Sequence, residues 1–183
     1  RDKIKNLIIT FLIVVTVTLG LVNISCDKIG TFPLNIPFSV NVIVQGSNNP
    51  ASSATQYCLT QNSTFENYAE NIKTINFIEA AWRTDSVRNI TTGTVEVTVK
   101  ISGGDTLFHR TLPGTNPSAY KAAPYVLSLT ATEIQALNKY FNAYLQNPNV
   151  CLEASVKATV TSGTIPYYLS GNVDFVIEAE TKL

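Results

Sequence analysis

Three stretches of this chain alternate apolar and polar residues with a period of two, and that pattern restricts the fold more than any other feature. Phe38, Val40, Val42 and Val44 stand on one side of the first stretch, with Ser39, Asn41 and Gln45 on the other. The same signature returns at Val95, Val97, Val99 and Ile101, and again at Val173, Phe175, Ile177 and Ala179. Successive side chains of a strand point to opposite faces, so each run predicts a strand with one face buried and the other wet. Half-buried strands of this kind build antiparallel sheets.

Turn-forming clusters separate the runs: Gly46-Ser47-Asn48-Asn49-Pro50, Gly103-Gly104-Asp105, Pro113-Gly114-Thr115-Asn116-Pro117 and Ser162-Gly163. Weaker strands are expected over 54–60, 71–82, 106–112, 125–129 and 150–162. One segment departs from the pattern. Thr130-Ala131-Thr132-Glu133 is a capping box, whose Thr hydroxyl and Glu carboxylate satisfy the free N–H groups of a helix start. It predicts a helix near 131–147 with Ile134, Leu137, Phe141 and Leu145 on one stripe, stopped by Asn147-Pro148. Residues 62–70 are expected to add a short helical turn. The chain therefore reads as mainly β: an antiparallel β-sandwich of immunoglobulin- or fibronectin-like kind with one packed α-helix, formed by residues 36–183 as a single domain.

Ahead of that domain stands a segment of different character. Arg1, Lys3 and Lys5 precede an apolar run from Leu7 to Val22, followed by Asn23-Ile24-Ser25-Cys26. A positive tip, an apolar core and small residues in that order make a hydrophobic signal helix. The run is shorter than the roughly 20 residues of a spanning helix. Cleavage and retention as an anchor both stay open. Residues 1–26 resemble the signal of a bacterial lipoprotein, in which a small residue precedes a cysteine that is lipidated and becomes the new N-terminus. Asn23 stands where that signal usually carries an aliphatic residue. The resemblance implies a signal peptide over 1–25, lipid attachment at Cys26, and a tether over 26–35 holding the domain at the bacterial cell envelope, on the periplasmic or cell-surface side. It implies no activity.

With Cys26 assigned to lipid, Cys58 and Cys151 remain as an even pair in an oxidising compartment, which predicts a disulfide, with two free thiols as the alternative. Both cysteines alternate against the apolar positions of their strands, so the bridge is expected on an outer face or rim. Removing 1–25 takes away three of the 13 basic and one of the 13 acidic residues, leaving ten against twelve. Without a basic patch the chain has no footprint for nucleic acid.

Catalytic patterns are missing. His109, the single histidine, lies in Leu107-Phe108-His109-Arg110-Thr111, an expected strand, with no nucleophile elbow before it. One histidine and two distant cysteines make no standard zinc set, and no calcium loop or phosphate-binding glycine pattern occurs, so neither metal nor cofactor is expected. Tyr167 and Tyr168, beside Pro166 in an expected connection, are the candidate ligand-binding residues, since tyrosine offers a flat apolar face with a polar tip. Asp85-Ser86-Val87 and Asp105-Thr106-Leu107 resemble an O-glycosylation sequence of exported Bacteroidetes proteins. The expectation is a non-enzymatic, membrane-tethered domain that binds protein or glycan. A carrier of an apolar ligand between the sheets and a subunit of a surface fibre are the alternatives.

Overall fold

The computed structural model describes residues 30–182, so the signal segment, Cys26 and the start of the expected tether lie outside the described residues. The described chain is mainly β, with strands β1 (Thr31–Gly46), β2 (Ala51–Tyr57), β3 (Ile72–Ile101), β4 (Thr106–Thr111), β5 (Tyr125–Val126) and β6 (Leu152–Lys182). Helix α1 (Ser63–Tyr68) and helix α2 (Ala131–Tyr144) interrupt them. No helix among the described residues is long and apolar enough to cross a membrane.

Two very long strands organise everything else. β3 and β6 pair antiparallel from Ile72↔Thr181 to Ile101↔Leu152, and together they form a ribbon that folds over to give two layers. In one layer the N-terminal half of β3 and the C-terminal half of β6 are flanked by β5 and β1. In the other, the remaining halves are flanked by β4 and β2. The result is an antiparallel β-sandwich whose layers share their central strands. Phe38 of β1 stacks on Tyr57 of β2 at 5.1 Å, and Phe108 of β4 meets Phe175 of β6 at 6.4 Å, so residues of the two layers close one core. Every buried side-chain polar atom among the described residues has a partner.

The passage between layers explains a difference from the sequence reading. Residues 71–82 and 95–101 were expected as separate strands, and Ser162-Gly163 as a turn; each lies inside one continuous strand. Register shifts between Thr84 and Gly93 bend β3 without breaking its ladder. Gly163 makes the matching bend in β6 at φ +156°, where an added Cβ would collide with the Asn89 carbonyl oxygen. Asn89 itself takes a left-handed φ of 63° at the bulge.

β1 begins earlier than expected, and Thr31–Asn35 belong to strand rather than tether. Pro33 and Pro37 lie in an edge strand, which has a neighbour on one side only and so tolerates a missing N–H better than a central strand. The Cys58–Cys151 disulfide forms, across a sequence separation of 93. Tyr57↔Leu152 is the end rung of the β2–β6 pairing, so the bridge continues that ladder one step beyond it, at the half-buried rim.

Candidate functional site

Helix α2 positions the more enclosed of the two larger hollows among the described residues. Its capping box forms as read: Glu133 Oε2 accepts from the Thr130 N–H at 2.8 Å, and the Thr130 hydroxyl accepts from the Glu133 N–H at 3.3 Å. Arg110 of β4 grips the same carboxylate with both terminal nitrogens and donates through Nε to the Ser128 carbonyl at 2.8 Å. Arg110's hydrogen bonds, helped by those from Thr130, hold the Glu133 carboxyl at about 2. The helix start is thereby locked to the sheet.

The buried stripe of α2 is Leu137, Tyr140, Phe141 and Tyr144, rotated from the expected one so that both tyrosines enter the core and Ile134 and Leu145 stay half-buried. Each phenol has a partner that allows this. Tyr140 donates to the Val150 carbonyl at 2.8 Å, and Tyr144 accepts from the Thr60 N–H at 3.1 Å. Burial pushes the Tyr140 phenol well above its ordinary value.

Between α2 and the β3–β4 hairpin lies a groove of about 440 Å³, walled by Ile101, Leu107, Ala136, Tyr140, Ala143 and Val150. Small-molecule sites occupy about 300–1,000 Å³ and are mostly apolar with a few polar groups. Here Asp105 and Lys139 supply the charge; both are exposed, and neither forms an ion pair among the described residues. Thr106, exposed at the start of β4, also lines the groove, whereas Ser86 of the other modification tripeptide lies half-buried within β3. The alternative reading of the sequence, a carrier, placed an apolar ligand between the sheets. That space is filled by Phe38, Phe108, Phe175 and their neighbours, and the hollow runs beside the helix instead.

The second hollow is shallower, about 640 Å³, at the bend of the ribbon, and it contains the tyrosines singled out in the sequence. They play different parts. Tyr167 is 1% exposed and donates to the Asn48 carbonyl at 2.9 Å, so it is an anchor of the core whose edge reaches the hollow. Tyr168 is half-buried and faces its cross-strand partner Arg88, whose guanidinium carbon lies 4.4 Å from the ring centroid. Gln45, Gly46, Asn89 and Pro166 complete the lining. Arg88 has no marker in the sequence, because nothing there shows which residue of β3 opposes Tyr168 once bulges have shifted the register.

Two other polar clusters hold sheets together. On the outer face of the first layer, Arg83 bonds Asp85 at 2.6 Å and Asp174 at 3.0 Å, Ser39 bonds Asp174 at 2.6 Å, and Asn172 bonds Asp85 at 2.6 Å. On the other layer His109 Nδ1 lies 2.8 Å from the Thr98 hydroxyl, and its Nε2 lies 3.9 Å from a Glu96 carboxylate that also pairs with Lys157 at 2.8 Å. The second distance exceeds hydrogen-bond reach. Cys58 and Cys151 are consumed by their bridge, and no group of three potential metal ligands occurs among the described residues.

No protein-family model and no curated protein matches the chain. Among solved structures it is similar to one titled for Desmodium yellow mottle tymovirus, at TM-score 0.31 and 13% identity, covering 88% of this chain and 95% of that one. A second, titled for tobacco necrosis virus, overlaps at TM-score 0.35 and 12% identity over 87% and 94%. A structure of infectious bursal disease virus, Gt strain, overlaps at TM-score 0.33 and 12% identity, over 86% of this chain but 34% of that one. Likenesses at these TM-scores bear on neither the family nor the function of this chain.

Proposed function

We propose that this chain is a non-enzymatic lipoprotein of a bacterial cell envelope: an exported β-sandwich, tethered through lipid on Cys26, that holds an apolar ligand in the groove between α2 and the β3–β4 hairpin. The order of basic tip, apolar run and cysteine supports the address. The Cys58–Cys151 bridge supports an oxidising compartment. Two antiparallel layers packed face to face support an immunoglobulin- or fibronectin-like assignment, from which strands shared by both layers depart.

The groove is the observation that carries the binding role. Its walls suit one acyl chain, with a polar head placed between Asp105 and Lys139. A fluorescent single-chain fatty acid titrated into the purified domain is expected to bind and to be displaced by its unlabelled counterpart. Ala143→Trp, which fills the groove from the exposed side of the helix, is expected to weaken binding at least tenfold while the protein stays folded. Equal binding by Ala143→Trp, or none by the parent domain, would reject the groove as the site. Palmitate labelling that persists in Cys26→Ala would reject the anchor.

A further inference from the structure

Among the described residues the chain has three arginines, and two are committed to carboxylates. Arg83 is held by Asp85 and Asp174, and Arg110 by Glu133. Arg88 has no ion pair and no side-chain hydrogen bond there, yet it is not loose. Its guanidinium lies 4.4 Å from the centroid of Tyr168, directly opposite on β6, a cation–π arrangement that favours this position for an otherwise exposed side chain. A guanidinium presents paired donors in a plane that matches a carboxylate, and one already biased toward one position loses less freedom on binding.

The surroundings are equally set. Asn89 donates to the Pro166 carbonyl at 2.7 Å, tying the two bends across the hollow. Asn49 clasps Val160 from both sides, donating to its carbonyl at 2.7 Å and accepting from its N–H at 2.9 Å. Among the described residues, no acidic side chain lines the hollow to compete for Arg88. Gln45 and the Tyr168 hydroxyl offer further donors and acceptors. An open, half-polar depression of this kind fits a hydroxyl-bearing ring better than an apolar side chain.

We propose that the hollow at the ribbon's bend binds an acidic glycan, a sugar chain bearing uronate-type carboxylates, with Arg88 pairing the carboxylate and Tyr168 holding Arg88 in place. The site shares no lining residue with the α2 groove and stands independently of the groove's ligand.

Calorimetric titration of the domain with an oligogalacturonate, its methyl ester and a peptide ending in a free carboxylate tests this. The ester keeps the sugar rings and removes the charge. The oligogalacturonate is expected to bind at millimolar concentration or below, with the ester and the peptide at least tenfold weaker. Arg88→Ala is expected to abolish the preference for acid over ester, and Arg88→Lys, which keeps the charge but loses the fork, to recover only part of it. Ala143→Trp in the groove is expected to leave this binding unchanged. Equal affinity for acid and ester, full binding by a folded Arg88→Ala variant, a preference for the peptide, or no binding of the oligogalacturonate would each overturn the assignment.

Discussion

The side chain of Asn142 gives Ile75 both halves of a strand pairing: Oδ1 accepts the Ile75 N–H at 3.0 Å, and Nδ2 donates to the Ile75 carbonyl at 2.7 Å. One turn earlier, Asn138 accepts the Phe77 N–H at 2.7 Å. Two asparagines at i and i+4 thus stand in for a neighbouring strand along the stretch of β3 ahead of its pairing with β5 at Ala81. Uncovered edges invite pairing with other chains, so this contact protects solubility as well as stability.

Asn142→Ala is expected to leave both Ile75 backbone groups unpaired, at a cost of about 1–3 kcal/mol. Urea denaturation measures the loss, and hydrogen exchange is expected to quicken most at the Ile75 amide. Unchanged protection there would mean that water replaces the asparagine without cost.

Reducing the Cys58–Cys151 bridge, or replacing both cysteines with alanine, is expected to lower stability by up to about 4.6 kcal/mol, the chain-entropy figure for closing so long a loop. Denaturation with and without reductant checks this. The double variant should lose all sensitivity to the reductant.

Acid acts through Glu133. Its folded value of about 2 lies below the ordinary 4.5, so the unfolded chain binds the proton more readily than the folded one. The Arg110–Glu133 contribution is therefore fully present above about pH 4.5 and is lost as pH falls toward 2. With the carboxylate side chain 21% exposed, water moderates the effect to about 1–3 kcal/mol. Melting temperature followed from pH 6 to pH 2 is expected to fall less steeply in Glu133→Gln than in the parent.

Gly171 lies against the six-membered ring of Trp82, which is fully buried with its indole N–H donated to Thr84 at 3.0 Å. A Cβ at position 171 would run into the indole ring and stand 2.7 Å from the Arg83 carbonyl oxygen. Gly171→Ala is expected to cost about 1–3 kcal/mol through overpacking. Trp82 is the only tryptophan, so its fluorescence reports both the unfolding midpoint and any displacement of the ring in the folded variant.

The parts of this fold legible in the sequence are those written by local rules. Alternation at Phe38–Val44, Val95–Ile101 and Val173–Ala179 marked strands, because a one-residue slip would turn each buried face to water. The Thr130–Glu133 box marked the start of α2 through hydrogen bonds within four residues. The shared strands were hidden, since the bulges carrying β3 through Ser86, Asn89 and Thr92 look like a polar loop until β6 is laid beside them. Tyr167 and Tyr168 look alike in the sequence, and only the fold separates the buried ring from the one that faces Arg88. The α2 groove had no local signature, because Ile101, Leu107 and Val150 meet the helix only after the hairpin closes.

The nested ladder between β3 and β6 also sets an order of assembly. The rung nearest in sequence, Ile101↔Leu152, closes the smallest loop, and each rung toward Ile72↔Thr181 adds only a short further closure once the previous one exists. Because loop-closure cost grows slowly with length, the expensive event is the first contact, and the ribbon is expected to zip outward from the disulfide end toward Ile72 and Thr181. Most of Ile72–Ile101 must therefore wait for β6, although β4 can pair with Glu96–Lys100 earlier, and both layers depend on this one ladder rather than on two sheets that fold separately and later dock.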